Sequence, residues 1–372
     1  MQYIATCKLG LESVVAAELN ALSIPVDGVL DARVLFSGGD GTLARALLWL
    51  RSAERVLLVA GVFPARTFDE LFEGVNRLPW KRYLPRDASI HVNGKSAKSA
   101  LFSVSDCQSI TKKAIVENLR AAYRTTLLPE TGEEVIVEVG LLRDEATLAL
   151  DACGAGLSRR GYRTWNVAAP LAETLAAGIL LLSRYRGGPF LDPMCGSGTF
   201  PIEAALIAQN RAPGLNRAFA AETWSFLDRK AFPLARGEAL DAARDTPLEI
   251  EGSDIDGRSV ELCRRHAKKA GVRLGWAVRS LRDLPERGGE GLMAVNPPYG
   301  ERLLNRKEAQ QLYRELREAA ARVPGFRLGV ITPDPEFERI FGRRADKRRK
   351  LTNGGMPCTL YQYFPGKPKA GE

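Results

Sequence analysis

The second half of the chain alternates short apolar strands with amphipathic helices, and this rhythm constrains the fold more than any other feature. Alternation at this spacing predicts a doubly wound, mostly parallel α/β sheet. Ligands of such sheets lie at the carboxyl ends of the strands. Four polar residues fall at predicted strand ends, and they are Asp192, Asp254, Asp283 and Asn296. The strand patterns are FLD, LEIEGSD, GWAVRSL, GLMAV and FRLGVIT, and helical patterns follow in PIEAALIAQN, GRSVELCRRHAKKAG and EAQQLYRELREAAARV.

The first half has a different character, since it mixes helices and strands without evident site chemistry. Residues 133–154 alternate like a hairpin whose turn is Arg143-Asp144-Glu145. We therefore expect an α+β region over 1–155, a basic linker over 156–170, and an α/β domain over 171–372.

Composition narrows the class of protein. The net charge of +9, from 53 Lys+Arg against 44 Asp+Glu, favours a polyanionic partner, nucleic acid first. No apolar stretch is long enough to span a bilayer or to form a signal peptide, so a cytoplasmic protein without membrane contact is expected.

The six cysteines are scattered and predict reduced thiols. The two histidines, His91 and His266, are far apart, so we expect both on the surface and no metal centre. No obligate protein partner is evident.

The stretch DPMCGSGT, residues 192–199, predicts a ligand-binding turn between a strand and a helix. Gly196 and Gly198 let the backbone pass close to a ligand. The stretch lacks the lysine of a P-loop, and Asp192 would repel a phosphate but suits a ligand with an ammonium or sulfonium group. About 60 residues later Asp254 ends a second strand, where an acid typically accepts hydrogen bonds from ribose hydroxyls. Asp256 fits a helix N-cap better.

The stretch NPPY, residues 296–299, ends another strand in a rigid turn. An exocyclic amine of guanine or adenine is a poor nucleophile, and a site must hold its nitrogen with two acceptors. The side-chain carbonyl of Asn296 and the backbone carbonyl of Pro297 can do this, because proline fixes φ and keeps its carbonyl aimed. Tyr299 can stack on a base taken out of its helix.

In their order DPMCGSGT, SDID and NPPY, these motifs resemble the Rossmann-like S-adenosylmethionine-dependent methyltransferases that modify exocyclic amines. Further stretches resemble the THUMP-domain RNA guanine-N2 methyltransferases, a group whose bacterial members act on 23S ribosomal RNA. The similarity runs nearly end to end. It is carried by ATCKLGLESVVAAEL (5–19), FDELFEGVNRLPW (68–80), SDCQSITKKAIVENL (105–119), LSRRGYR (157–163), APLAETLAAGIL (169–180), NPPYGERL (296–303) and NGGMPCTLYQY (353–363).

The resemblance implies a Rossmann-like methyltransferase domain preceded by a ferredoxin-like and THUMP region that holds structured RNA. It implies S-adenosylmethionine as the cofactor and places the adenine amino group near an acid of the third strand, where this chain has Ser280 and, three residues later, Asp283. The implied catalytic residues are Asn296, Pro297, Pro298 and Tyr299. The implied cofactor-binding residues are Asp192, Pro193, Cys195, Gly196, Ser197, Gly198, Thr199, Asp254, Ile255, Asp283 and Asn296.

Basic clusters predict the contacts with RNA. The densest is RIFGRRADKRRK, residues 339–350. Trp224 and Phe226 in the insert before the second strand could stack on RNA, although packing on the domain core fits them better. The residues that we predict to contact RNA are Lys112, Lys113, Arg159, Arg160, Arg163, Arg343, Arg344, Lys347 and Arg348.

Several alternatives stay open at this point. Cytosine-C5 methylation would need a cysteine nucleophile, for which Cys358 after Pro357 and Cys195 are poor candidates. N6-adenine methylation uses the same NPPY turn, and only the first half favours RNA guanine. A tRNA substrate is the second choice after 23S rRNA, and a non-catalytic RNA-binding or assembly protein is the last alternative.

Overall fold

The computed structural model describes residues 1–163, 171–298 and 306–365. Its first half is built on one seven-stranded sheet with the order β2-β3-β1-β4-β7-β6-β5, in which only β5 and β6 pair in parallel. The strands are β1 Gln2–Cys7, β2 Val26–Leu30, β3 Arg33–Ser37, β4 Ala53–Pro64, β5 Ser89–Ala97, β6 Glu134–Leu142 and β7 Glu145–Asp151. The helices are α1 Glu12–Ala21, α2 Asp40–Trp49, α3 Phe68–Asn76, α4 Trp80–Tyr83 and α5 Val104–Tyr123.

Strand β4 joins two units of this sheet. On one side it pairs with β1, which completes a ferredoxin-like β1-α1-β2-β3-α2-β4 unit. On the other side it pairs with β7 of the hairpin β6–β7. The hairpin turn lies where the sequence predicted it, and Arg143 and Asp144 both have positive φ, 52° and 64°, as a type I′ turn requires.

The second half contains the predicted doubly wound sheet, with the order β10-β9-β8-β11-β12-β14-β13. Strands β8 to β12 run parallel, and β14 is antiparallel to both of its neighbours. The strands are β8 Phe190–Asp192, β9 Ile250–Asp254, β10 Gly275–Val278, β11 Gly291–Val295, β12 Phe326–Thr332, β13 Lys347–Asn353 and β14 Met356–Tyr363. The helices are α6 Glu173–Leu182, α7 Thr199–Ala208, α8 Ala231–Asp241, α9 Gly257–Ala270, α10 Arg306–Ala321 and α11 Phe337–Phe341.

The strand order reverses between β8 and β11, so the carboxyl ends of these two strands border a crevice. Asp192 is the last residue of β8, and Asn296 follows the last residue of β11. The topology therefore brings two of the predicted site residues, 104 positions apart in the chain, to the two sides of one crevice.

The two halves share a continuous apolar core. Helix α1 packs against α6, where Gly178 lies so close to Leu11 that an added Cβ would stand 2.7 Å from a Leu11 methyl carbon. The insert between α7 and β9 packs α8 against α2. Trp224 stacks on Phe226 with ring centroids 5.3 Å apart, and Phe226 meets Tyr83 of the first half edge to face. These two aromatics therefore pack internally.

Arg217 of the same insert binds the segment that follows β7, the last strand of the first sheet. Its guanidinium donates to the carbonyl oxygens of Cys153, Ala155, Gly156 and Arg159. Residues 156–163, the described part of the predicted linker, thus pack between the two halves, with Leu157 and Tyr162 buried. No helix in the described ranges is long and apolar enough to cross a membrane.

Candidate active site

The glycine turn after β8 is held in shape by backbone hydrogen bonds. The amide of Met194 donates to Oδ1 of Asp192 at 3.2 Å, and the amide of Cys195 donates to the carbonyl of Ser253 in β9 at 2.9 Å. The amide of Gly198 then donates to the Cys195 carbonyl at 2.7 Å, just before α7 begins at Thr199. The turn thereby presents the N-terminus of α7 at the crevice, an arrangement that nucleotide-binding α/β folds also have.

Gly196 and Gly198 are needed for different reasons. Both have positive φ, 50° and 80°, which favours glycine. An added Cβ on Gly196 would meet no atom within 4 Å, so this residue leaves open space above the turn. On Gly198 the same Cβ would stand 3.0 Å from both Sγ of Cys263 and the indole of Trp276. Gly196 therefore gives a ligand access, whereas Gly198 lets α7 pack closely against α9 and β10.

Asp192 is the most deeply placed acid of the crevice, with 3% of its surface exposed. Burial, together with the nearby charge of Asp254, raises the pKa of the Asp192 carboxyl well above its usual range. No arginine or lysine forms an ion pair with it in the described residues. The protein supplies no cation to this buried carboxyl in the described residues, so a cationic ligand would stabilise its charged form.

Asp254 links the turn to the second strand. Its Oδ2 accepts a hydrogen bond from the amide of Gly196 at 2.9 Å, and its Oδ1 accepts one from the amide of Asp256 at 2.9 Å. A carboxylate has about four acceptor positions, so the half-buried Asp254 keeps capacity for a ligand hydroxyl. Asp256 caps α9 by accepting from the amide of Arg258 at 3.0 Å, which confirms the cap that the sequence predicted.

Asn296 carries an unpaired acceptor. Its side-chain oxygen Oδ1 is buried and has no hydrogen-bond partner among the described residues. Pro297 is buried beside it and Pro298 is half-buried. A buried amide oxygen without a donor costs about 1–3 kcal/mol, and unexplained cases of this kind concentrate at functional sites. Tyr299, the predicted stacking ring, lies outside the described residues.

Two exposed apolar side chains flank the ends of neighbouring strands. Ile255 follows β9 and is 76% exposed, and Val278 ends β10 and is 59% exposed. A pair of this kind fits the flat face of a heterocycle. Ser280 and Asp283 lie just beyond, where Ser280 caps the 3-10 turn Leu281–Asp283 and Asp283 is exposed. The adenine contact assigned to Asp283 stays a prediction.

Arg160 and Arg163, which we predicted to contact RNA, point into the protein instead. Arg160 is 4% exposed and pairs with Glu203 in the middle of α7, with Nε 3.4 Å from Oε1. It also donates to the carbonyls of Leu157 and Arg51. Arg163 donates to Oγ1 of Thr199 at 2.9 Å and lies 3.4 Å from Oε1 of Glu173. Their guanidinium groups are engaged inside the protein, so the prediction was wrong for both.

His266 also differs from its prediction, because it is fully buried rather than on the surface. Its Nδ1 donates to the carbonyl of Ser197 in the glycine turn at 3.0 Å. Burial lowers the pKa of the imidazole, so the ring is neutral at ordinary pH. His266 thus supports the turn from behind. His91 is exposed as expected.

The remaining predicted RNA contacts lie on the surface. Lys112 pairs with Glu130 at 3.1 Å, and the ammonium of Lys113 lies over the ring of Phe72. Arg343 pairs with Asp346 at 3.0 Å, and Arg348 pairs with Glu338 at 2.7 Å. Exposed ion pairs of this kind contribute little to stability and can exchange for phosphate. Arg159, Arg344 and Lys347 are exposed as well.

The sequence analysis did not predict a cluster of buried polar and charged side chains that lies next to helix α7. Tyr162 donates to Oε1 of Glu203 at 3.0 Å, and Glu203, Glu173 and Arg51 are buried with it. A signal was available for the two acids, since Glu203 is the single charged residue of the apolar helix TFPIEAALIA and Glu173 that of ETLAAGILLL. Acids on such helices are rarely buried unless they are paired.

The cysteines are all reduced and buried. Cys195 lies 3.7 Å from Cys263, sulfur to sulfur, and its hydrogen bond with Cys263 together with burial raises the pKa of the Cys195 thiol well above its usual range. Cys358 sits inside β14, opposite Leu351 of β13. Cys195 lacks the lowered pKa of a nucleophile, and Cys358 is buried and lacks the access that a nucleophile needs. The described ranges contain no cluster of three or more residues able to hold a metal ion.

A doubly wound sheet with a glycine turn, an acid at the end of the second strand and an Asn-Pro-Pro turn at the switch point defines a Rossmann-like methyltransferase. Sequence models of three known families match this chain in succession: an RlmL ferredoxin-like domain over residues 2–57, a THUMP domain over 65–151, and an RMKL-like methyltransferase domain over 160–362. The chain belongs to the family of THUMP-domain RNA methyltransferases with the RMKL-like catalytic domain, and its cofactor is S-adenosylmethionine.

Two curated relatives cover nearly the whole chain. YpsC of Bacillus subtilis (strain 168), described as a candidate RNA methyltransferase, is 41% identical over 97% of this chain and 95% of its own length. The ribosomal RNA large subunit methyltransferase K/L of Cellvibrio japonicus (strain Ueda107) is 36% identical over 97% of this chain. The chain spans about half the length of that second relative, 51%.

Two solved structures share the complete fold. SMU.472, described as a candidate methyltransferase in complex with S-adenosylhomocysteine, is 44% identical with a TM-score of 0.92, and the match covers 99% of both chains. A protein from Listeria monocytogenes, described as a predicted N6-adenine-specific DNA methylase, is 45% identical with a TM-score of 0.92, over 98% of this chain and 96% of its own.

Proposed function

We propose that this protein methylates the exocyclic N2 amine of a guanosine in RNA, and that the RNA is the large-subunit ribosomal RNA. The observation that carries the proposal is Oδ1 of Asn296, which is buried and has no hydrogen-bond partner among the described residues. It stands at the edge of the crevice where the strand order reverses, one residue after β11. An acceptor at this place can take a donor from the substrate, and an exocyclic amine has N–H groups to donate.

The residues around the crevice fit the cofactor. The carboxyl of Asp192 suits the charged methionine end, Asp254 keeps acceptor capacity for ribose hydroxyls, and Gly196 leaves the turn open. Ile255 and Val278 offer apolar faces for a heterocycle. When bound, S-adenosylmethionine supplies a methyl group on a positively charged sulfur, which is a strong electrophile.

The protein's own contribution is to hold and aim the amine. Asn296 Oδ1 and the Pro297 carbonyl accept its two N–H bonds, which directs the nitrogen toward the methyl group. Pro297 and Pro298 restrict the backbone, so this geometry is set before the substrate arrives. The transfer needs no strong base, because the amine gives up its proton after the new bond has formed. Catalysis then rests on proximity, orientation and a preorganised polar site.

The choice of RNA rests on the first half of the chain and on relatives. The THUMP domain spans residues 65–151, and the relative from Cellvibrio japonicus is named for large-subunit ribosomal RNA. That relative is about twice as long as this chain. The surface cations Arg159, Arg344 and Lys347 are available for phosphates.

N6-methylation of adenine is the competing proposal, since the description of the Listeria monocytogenes neighbour names it and an adenine amine fits the same two acceptors. A tRNA substrate is the second RNA candidate. These alternatives differ in the nucleoside that is produced and in the nucleic acid that carries it.

The deciding experiment incubates the purified protein and S-adenosylmethionine with 23S rRNA fragments, tRNA and duplex DNA made by synthesis, followed by mass spectrometry of the digested nucleosides. N2-methylguanosine in an rRNA fragment, absent with Asn296→Ala, supports the proposal. N6-methyladenosine, or methylation confined to tRNA or DNA, would replace it. Deletion of the gene and mapping of the missing modification in cellular rRNA and tRNA identifies the nucleotide.

A further inference from the structure

A second concave site lies between the two halves, away from the candidate active site. It is a cavity of about 950 Å³ bordered by α1 and by the C-terminal ends of α2, α6, α7 and α8. The glycine turn stands at the opposite, N-terminal end of α7. A helix of ten residues is about 15 Å long, so the cavity and the turn are separated by roughly that distance.

Cations predominate around this cavity. Its lining contains six basic residues and two acids, Glu18 and Glu238. Glu238 pairs with Arg45 at 3.6 Å, and Glu18 accepts hydrogen bonds from the amides of Arg51 and Ser52. In the described part of the chain, the rim residues Arg184, Arg186, Arg244 and Lys347 form no ion pair. The six basic residues are Arg45, Arg51, Arg184, Arg186, Arg244 and Lys347.

Helix termini offset part of this charge. A helix C-terminus carries about half a negative charge, and the C-terminal ends of five helices, α1 included, border the cavity. The side chains give an excess of four positive charges, six minus two, and the helix ends remove about two and a half of them. A positive excess of roughly one and a half charges remains, so balancing the helix ends does not account for all the cations.

Arg51 provides a separate, geometric indication. It lines the cavity and is 7% exposed. Its Nη2 donates to the carbonyl of Arg211 at 2.8 Å, but its Nη1 is buried without a hydrogen-bond partner among the described residues. Burial lowers the pKa of this guanidinium to about 10. The carboxylates of Glu203 and Glu18 balance part of the charge of this guanidinium, so the indication of an anion rests on the unused Nη1 donor rather than on an unbalanced charge.

We propose that this interdomain cavity binds a phosphate group, with Arg51 at its base and Arg184, Arg186, Arg244 and Lys347 around it. Arginine suits phosphate because its planar donors match the phosphate oxygens. The volume is in the range of small-molecule sites and exceeds what inorganic phosphate fills, so the phosphate belongs to a larger molecule. It is either part of an RNA backbone or part of a free nucleotide. A nucleotide site would not depend on the proposed methyl transfer, whereas an RNA-backbone site rests on the proposed RNA substrate.

Two variants test the site at different depths. Arg51→Met keeps the length of the side chain and the Arg51 carbonyl that accepts from Arg160, but it removes the buried donors. The double variant Arg184→Gln/Arg186→Gln changes only exposed residues and is expected to fold normally. Arg264→Gln/Arg265→Gln on α9 is the matched control, because it removes two exposed arginines that do not line the cavity.

The measurements separate the two sources of phosphate. Calorimetry with inorganic phosphate and with guanosine 5′-monophosphate tests the free ligand, and filter binding of a 23S rRNA fragment at several salt concentrations tests the backbone. For a nucleotide site, both cavity variants weaken binding of the monophosphate at least tenfold. For a backbone site, they weaken RNA binding at least tenfold and reduce the slope of log K against log salt by about one for each arginine that no longer neutralises a phosphate.

The control variant is expected to change neither quantity by more than about threefold. If the variant Arg184→Gln/Arg186→Gln, called the rim variant, binds both phosphate probes and RNA as well as the wild-type protein does, the proposal is overturned. If the control weakens RNA binding as much as the rim variant does, the effect is general surface charge and the proposal is likewise overturned. Binding of S-adenosylhomocysteine by each variant reports that the methyltransferase site remains folded.

Discussion

The guanidinium of Arg163 donates from Nη2 to Oγ1 of Thr199, 2.9 Å away, at the first residue of the helix that follows the glycine turn. The same Nη2 also donates to the carbonyl of Leu171 at 2.7 Å, and Nε lies 3.4 Å from Oε1 of Glu173. Arg163 therefore connects the N-terminus of α7 to the segment that enters α6. Weaker hydrogen bonds from this residue should make the glycine turn that faces the cofactor less rigid.

Arg163→Lys should weaken cofactor binding without unfolding the protein. A lysine keeps the charge but loses the planar pair of donors, and one hydrogen bond from a charged group contributes about 1.5–3 kcal/mol. Because only part of that stabilises the turn, we expect the Kd for S-adenosylhomocysteine to rise about tenfold in calorimetry. Arg159→Lys, an exposed neighbour, is the control. Equal affinities of the two variants would contradict a positioning role for Arg163.

Asn296→Ala should abolish methyl transfer while leaving cofactor affinity nearly unchanged. The variant removes the acceptor for the substrate amine, and the loss of one well-placed hydrogen-bonding group in an active site typically costs about 10²–10³ in kcat. Steady-state kinetics with the RNA fragment and calorimetry with S-adenosylhomocysteine measure the two effects separately. A loss of cofactor affinity as large as the loss of kcat would show that Asn296 supports the cofactor rather than the amine.

Cofactor affinity should rise with pH, and Asp192 is the reason. Burial raises the pKa of its carboxyl, so in the free protein the neutral form persists above the usual range near pH 4. The cationic end of the cofactor favours the carboxylate, so binding strengthens as pH rises through the pKa of Asp192 in the free protein and then levels off. Calorimetry over this range should show the trend for the wild type and its absence for Asp192→Asn, whose affinity at high pH falls at least tenfold.

The stability of the free protein should change in the opposite sense. The folded state holds the proton of Asp192 more tightly than the unfolded chain does, because the folded-state pKa is raised. This contribution is fully present below the unfolded pKa near 4 and is lost as pH rises through the folded pKa. Replacing Asp192 by Asn should remove that part of the dependence in denaturant unfolding. If the slope is the same in both proteins, Asp192 is ionised throughout.

Gly198→Ala should be more damaging than Gly196→Ala. Both substitutions force a Cβ on a residue with positive φ, at a cost of about 1 kcal/mol. Only at Gly198 does the new Cβ also approach Cys263 and Trp276 to 3.0 Å, so overpacking adds about 1–3 kcal/mol. Chemical denaturation should place the two variants in this order. Equal destabilisation would mean that α9 shifts to accommodate the new Cβ without a loss in the free energy of unfolding.

Breaking the ion pair between Arg160 and Glu203 should cost more than replacing both partners. Glu203→Gln leaves the buried guanidinium without its counter-charge, for which we expect a loss of about 3–5 kcal/mol in the free energy of unfolding. The double variant Arg160→Met/Glu203→Leu avoids an uncompensated charge and should lose less. Urea denaturation of the three proteins checks the order. A double variant less stable than Glu203→Gln would assign the stability to the Arg160 hydrogen bonds with Leu157 and Arg51 instead.

The sequence was sufficient for features that depend on local patterns. The alternation of strands and helices predicted the doubly wound sheet, and the hairpin with its turn at Arg143-Asp144-Glu145 was recognisable from the flanking alternation. The type I′ geometry of that turn was seen only in the structure. The positions of Asp192 and Asn296 followed from the rule that strand ends carry the ligands, because both end apolar runs. Their arrangement across one crevice also needed the strand order, which pairs β8 with β11.

Features that depend on long-range packing were not predictable in this way. Arg160 and Arg163 lie in a basic stretch that resembles a nucleic-acid contact, and only the fold shows Glu203 and Glu173 opposite them. His266 occupies a polar helix, yet the face that carries it is turned toward the Ser197 carbonyl. The docking of the insert on the first half through Arg217 likewise depends on residues more than 50 positions away.

Strand β4 has a consequence for how such proteins can be divided. It is twelve residues long and pairs with β1 on one edge and with β7 on the other. A fragment that starts at residue 65, where the THUMP match begins, would leave the backbone groups of β7 without a partner along that edge. Exposed edges of this kind recruit other chains. A soluble fragment of the first half should therefore retain β4, and recombination between family members is better tolerated outside residues 53–64 than within them.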